Sequence, residues 1–78
     1  MITTISYKGE DHNYLLHCAF TSSDLSIFEM HAEQAMHESD CHLRLSFIEV
    51  CLYDEFGGCI NSDYFCDVKK AIEWWENQ

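Results

Sequence analysis

The sequence predicts an α+β fold, a small antiparallel sheet with two helices packed against it, in the order ββαββα. Short β-branched or alternating runs occur at residues 2–7, 14–20 and 42–53, separated by polar turns. Two other stretches, residues 25–38 and 68–75, repeat apolar side chains at three- and four-residue spacing, the mark of an amphipathic helix. The chain has 78 residues, no Pro and three Gly, which allows one domain with few and short loops.

Ile2 to Tyr7 reads as the first strand, and Lys8-Gly9-Glu10-Asp11-His12-Asn13 as a polar turn. Tyr14 to Phe20 then returns as a second strand. Strict alternation puts Tyr14, Leu16, Cys18 and Phe20 on one face, with Leu15, His17 and Ala19 on the other. On that pattern His17 cannot serve Cys18, because neighbours on a strand point to opposite sides. Thr21-Ser22-Ser23-Asp24 gathers N-cap residues ahead of a helix that runs to about Glu38, where Ser39-Asp40 ends it. Leu25, Phe28, Ala32 and Ala35 or Met36 would face the sheet. The segment Ser26 to Met30 also alternates like a strand, but the helix formers from Ala32 to His37 favour helix.

His42 to Tyr53 reads as the third strand. Leu43, Leu45 and Phe47 lie on one face and Ile48, Val50 and Leu52 on the other, so the switch at Phe47–Ile48 implies a bulge or a strand covered on both sides. Asp54-Glu55-Phe56-Gly57-Gly58 is a turn with two glycines available for positive φ. Cys59 to about Asn61 is a short return strand. Val68, Ala71, Ile72 and Trp75 form the core stripe of the last helix. It is capped by Asp67, or else starts near Ser62 and draws in Phe65.

A hydrophobic fraction of 47 % with 14 % aromatic residues is enough for a packed core and excludes a disordered chain. No apolar run approaches the ~18 residues of a membrane span. The start, Met1-Ile2-Thr3-Thr4, lacks the layout of an export signal. Five cysteines, an odd number, do not suggest a disulfide framework. Cys18, Cys51 and Cys66 are expected to be small buried hydrophobes in a reducing, cytoplasmic setting, that of a bacterial host cell if the chain is phage-encoded.

Charge is the strongest compositional signal. Fourteen Asp and Glu against four Lys and Arg give a formal net charge of −10. Such a chain repels nucleic acid and anionic membranes, so its expected partner is a basic protein. Acidity also serves plain solubility.

The chemistry-bearing residues point the same way. There is no CxxC, HxxxH, glycine-rich phosphate loop or nucleophile elbow. The tightest metal-like group is His37, Cys41 and His42, with His31 one and a half turns earlier, and it lacks the second ligand pair of a structural zinc site. No enzyme activity and no cofactor are expected.

Carboxylates are placed where helix stability does not want them. Glu29 and Glu33 are i, i+4 on one helix face, and Glu38 and Asp40 follow at its C-terminal end. Glu73 and Glu76 sit in the last turns of the second helix. Negative charge at a helix C-terminus opposes the macrodipole at about 0.3–1 kcal/mol each in low salt. Lys69 and Glu73 pair in the less favourable order. A surface that presents negative charge to a partner explains this placement, and Asp54 and Glu55 offer a further acidic turn. Trp74 points about 100° away from Trp75 around the helix. Lying among carboxylates, it is suited to gripping Arg or Lys by cation–π contact and ion pairing. Its alternative role is to widen the core at the sheet edge.

The expected function is therefore a protein-binding inhibitor that covers a partner's basic, nucleic-acid-binding surface by charge mimicry. Small phage-encoded anti-defence proteins, including anti-CRISPR proteins, are similar in size and charge. A homo-oligomeric structural or regulatory domain is the alternative, and a metal-binding module on His37, Cys41 and His42 the second. A monomer or weak dimer is expected, with about 4,900 Å² of accessible surface.

Overall fold

The computed structural model describes residues 1–8, 13–43 and 47–78, without the side chains of His42 and Leu43. Gly9 to His12 of the expected first turn, Leu45 of the expected third strand and the His42 imidazole thus lie outside the described residues. The elements are β1 (Ile2–Lys8), β2 (Tyr14–Phe20), α1 (Leu25–Leu43), β3 (Ile48–Tyr53), β4 (Cys59–Phe65) and α2 (Val68–Glu76). The four strands form one sheet in the order β2-β1-β3-β4, antiparallel at every pairing. This is the predicted α+β architecture.

Both helices lie on the same side of the sheet. Ile5 and Tyr7 of β1, Ile48 and Val50 of β3, and Phe65 of β4 form one buried cluster with Phe28, Ala32 and Ala35 of α1 and Ala71 of α2. Three of these helix residues are alanines, whose small side chains let backbone approach backbone. Trp75 of α2 stacks flat on Phe28, with ring centroids 4.6 Å apart and planes 12° from parallel. Its Nε1–H donates to Thr3 Oγ1 of β1 at 3.2 Å, which ties α2 to the middle of the sheet.

Local chemistry sets most element ends. Asp24 starts α1: its carbonyl accepts from Ile27 and Phe28, and its Oδ1 accepts from the backbone N–H and hydroxyl of Ser26. Asp67 caps α2 by accepting from Lys69 N at 2.9 Å, so that helix begins at Val68 and not near Ser62. Asp54 organises the β3–β4 turn, its Oδ1 accepting from Phe56 N and Gly58 N. Gly57 there adopts φ +82°, a conformation that favours glycine.

Four expectations need correction. First, α1 does not end at Ser39-Asp40 but continues to Leu43. Ser39 is fully buried, and its hydroxyl accepts from Phe47 N at 3.3 Å, beyond the helix, so it secures the following chain instead of breaking α1. Second, β3 is correspondingly short. The face switch falls where β3 begins, Phe47 lying outside the strand, and Ile48, Val50 and Leu52 are buried on one face. Third, β4 runs to Phe65, well past Asn61, and the register shift opposite Leu52 and Tyr53 makes Ile60 an extra residue. Fourth, Cys66 is exposed between β4 and the cap of α2, whereas Cys51 is buried and Cys18 half-buried. The accessible surface is 4889 Å². Among the described residues, no helix is long and apolar enough to cross a membrane.

Candidate functional site

A departure from strict alternation that bears on chemistry lies in β2. Ile5 of β1 pairs with Cys18, yet the next residue, Ser6, pairs with Leu16. His17 is therefore the extra residue of a β-bulge, and a bulge re-aims side chains. Cys18 and Phe20 keep the helix side, His17 joins them there, and Leu16 and Tyr14 turn to the opposite face. The expectation that His17 and Cys18 point apart is thereby overturned. Hydropathy gave no warning, because the run Tyr-Leu-Leu-His-Cys-Ala-Phe is apolar on both faces.

The bulge sets His17 and Cys18 against α1. His31, Ala35 and Glu38 are i, i+4 and i+7 on that helix and so share one face. The ligand-capable atoms of His17, Cys18 and His31 lie within 4.8 Å of one another. His17 Nδ1–H donates to Glu38 Oε2 at 2.9 Å, an arrangement that in the neutral ring puts the lone pair on Nε2. The same carboxylate also bears on the Tyr7 phenol. Burial, reinforced by that carboxylate, pushes the Tyr7 phenol above its ordinary range. His31 stacks on Phe20 at 5.2 Å and meets His17 edge-on at 5.9 Å. Its Nδ1 is buried with no hydrogen-bond partner among the described residues. A buried polar atom left so costs about 1–3 kcal/mol.

This group combines one thiol and two imidazoles, the donor set of a soft or borderline divalent metal. As a nucleophile Cys18 is poorly served, since burial pushes its thiol pKa up and keeps the thiolate scarce. Of the metal-like group that the sequence offers as a second alternative, His37 Nε2 and Cys41 Sγ do approach, to 3.7 Å, at an exposed position. The third member of that alternative, His42, has its side chain outside the described residues.

The carboxylates singled out from sequence occupy different surroundings. Glu29 and Glu33 are exposed on α1, as are Asp40 at its end and Glu55 in the turn. Glu73 and Glu76 are exposed on α2. Glu38 is partly buried and engaged with His17, and Asp54 holds its own turn. Among the described residues, Lys8, Lys69 and Lys70 form no ion pair. Trp74 is half-buried and packs on Phe65 with ring centroids 5.5 Å apart, which puts it at the margin of the core.

A second feature was not legible in the pattern. The sheet face opposite the helices carries Tyr14 and Leu16 of β2 and Tyr64 of β4, exposed by 48, 62 and 54 %. Tyr14 and Tyr64 lean towards each other across the sheet, with centroids 6.3 Å apart, and Phe47 stands 6.4 Å from Tyr64. The Tyr14 hydroxyl, and then the Glu49 carboxylate, hold the Tyr64 phenol well above its ordinary pKa. This is an aromatic and aliphatic patch with the Glu49 carboxylate beside it. No protein-family model matches the chain, and no curated protein or solved structure is significantly similar to it.

Proposed function

We propose that the protein is a small acidic inhibitor that covers the basic, nucleic-acid-binding surface of a partner protein, with the helix-free sheet face at the centre of the contact. The observation that carries this reading is the exposure of Tyr14, Leu16 and Tyr64 on an uncovered sheet face in a chain of net charge −10. Protein interfaces commonly have an aromatic centre and a polar rim, with tyrosines among the residues that dominate affinity. Exposed aromatics on a sheet also suit stacking on single-stranded nucleic acid, but that ligand needs a positively charged groove. The charge of this chain opposes it.

Acidity then selects and steers a basic protein. A standard contact of about 800 Å² per partner is about a sixth of the 4889 Å² available. Self-association through sheet edges is less favoured, because both edge strands carry a bulge, at His17 in β2 and Ile60 in β4. The reading assigns binding and not catalysis, in a reducing cytoplasm where free thiols persist.

The test is capture from a bacterial lysate by the immobilised protein, with Leu16→Asp and Tyr64→Ala variants alongside. A basic nucleic-acid-binding protein is expected to be retained at low salt and released by salt or by added DNA. Leu16→Asp should lose it although the variant is more acidic, because the apolar centre is broken. Retention indifferent to salt and DNA, or undiminished by Leu16→Asp, contradicts the proposal.

A further inference from the structure

We propose that His17, Cys18 and His31 form a binding site for one zinc-class divalent ion, with Glu38 orienting the His17 ring. The inference stands on the bulge in β2 and is independent of the partner-binding reading. Tetrahedral zinc, with bonds of about 2.0–2.1 Å to nitrogen and 2.3 Å to sulfur, sets its ligand atoms roughly 3.3–3.6 Å apart. The three donors already lie within 4.8 Å of one another, so side-chain adjustments of about an ångström would close the site.

Two further observations point to a ligand here. The buried His31 Nδ1 has no partner among the described residues, the condition of a donor atom that awaits one. The hydrogen bond from His17 Nδ1–H to Glu38 fixes the tautomer that leaves Nε2 to coordinate, as outer carboxylates do for metal-bound histidines. The thiol and imidazoles select zinc-class ions over magnesium or calcium, which take oxygen. On binding, Cys18 releases its proton to solvent and coordinates as thiolate. Among the described residues no fourth His, Cys, Asp or Glu joins the group, so the remaining position falls to water or to an incoming donor.

The experiment adds Co²⁺, and then Zn²⁺ in competition, to the reduced, metal-stripped full-length protein, followed by absorption. A thiolate-to-cobalt band in the near ultraviolet is expected to saturate at one equivalent, with visible bands of four-coordinate cobalt, and zinc should displace both. Cys18→Ser should abolish the near-ultraviolet band, and Glu38→Gln should weaken affinity by roughly ten- to hundredfold. A His37→Ala, Cys41→Ser double variant should bind as the wild type does. Because a core variant can misfold, thermal unfolding supplies a second reading on the wild type. Zinc at a hundredfold excess over Kd should raise Tm by about 10–20 °C. Absence of one-equivalent binding by the wild type overturns the proposal. So does a thiolate band that survives Cys18→Ser but disappears in the His37, Cys41 double variant.

Discussion

Glu38, Thr3 and Trp75 are each placed by one or two hydrogen bonds that no periodicity reveals. Thr3 is almost fully buried, and its hydroxyl receives the indole N–H of Trp75 across 72 positions of sequence. Replacing Thr3 with Val keeps the shape and removes the acceptor, which leaves a desolvated indole donor unmet. We expect Thr3→Val to cost about 1–3 kcal/mol. In a domain of this size each kcal/mol lowers Tm by roughly 4–8 °C. Thermal melts read this directly, and a Thr3→Val protein that melts with the wild type would contradict the assigned role. The same logic separates the two tryptophans. Trp75 was legible as a core residue from its place in the i, i+3, i+4, i+7 stripe. Trp74 lies off that stripe, and its packing on Phe65 depends on where β4 runs, which the stripe does not encode.

Among the elements, those with local causes were legible and those with distant causes were not. The α2 stripe and its Asp67 cap, the Asp54–Gly58 turn and the β1–β2 hairpin follow from residues close in sequence, and the fold order follows from them. Three features depend on partners far along the chain. Ser39 continues α1 because its hydroxyl binds Phe47 N, eight residues on. The β2 bulge is visible only against the register of β1, and that bulge makes the His17, Cys18 and His31 group. The Ile60 bulge likewise exists only against β3.

The start of α1 allows a test at this scale. The Ser26 hydroxyl, and then the Ser26 backbone N–H, hold the Asp24 carboxyl below its ordinary pKa. A depressed folded-state pKa contributes stability above the unfolded value, about pH 4, and loses it as pH falls through the folded value. Asn caps helices about as well as Asp, so Asp24→Asn isolates the charge. The wild type should be the more stable of the two at neutral pH, with the gap closing as pH falls below about 4. A gap that is constant with pH, measured by denaturant unfolding, would show that the carboxylate does not act this way.

For the whole molecule, charge and the one-sided sheet are the two properties that bear on function. A net charge of −10 on 4889 Å² of surface, with Lys8, Lys69 and Lys70 in no ion pair among the described residues, leaves a strong unneutralised field. Antiparallel sheets with helices on one side commonly show water a polar second face. Here that face holds Tyr14, Leu16 and Tyr64 among Ser6, Lys8 and Glu49. Composition made the acidity plain, but the position of the apolar patch could not be read, because the bulge reverses the faces of Tyr14 and Leu16 relative to Cys18. The central claim is that this face meets a basic partner, and amide chemical-shift mapping of the isotope-labelled protein with its captured partner tests it most directly. The largest shifts are predicted at Ser6, Tyr14, Leu16, Glu49 and Tyr64, and they should fade as salt is added. Shifts confined to α2 around Glu73, Trp74 and Glu76, with the sheet face unchanged, would contradict it.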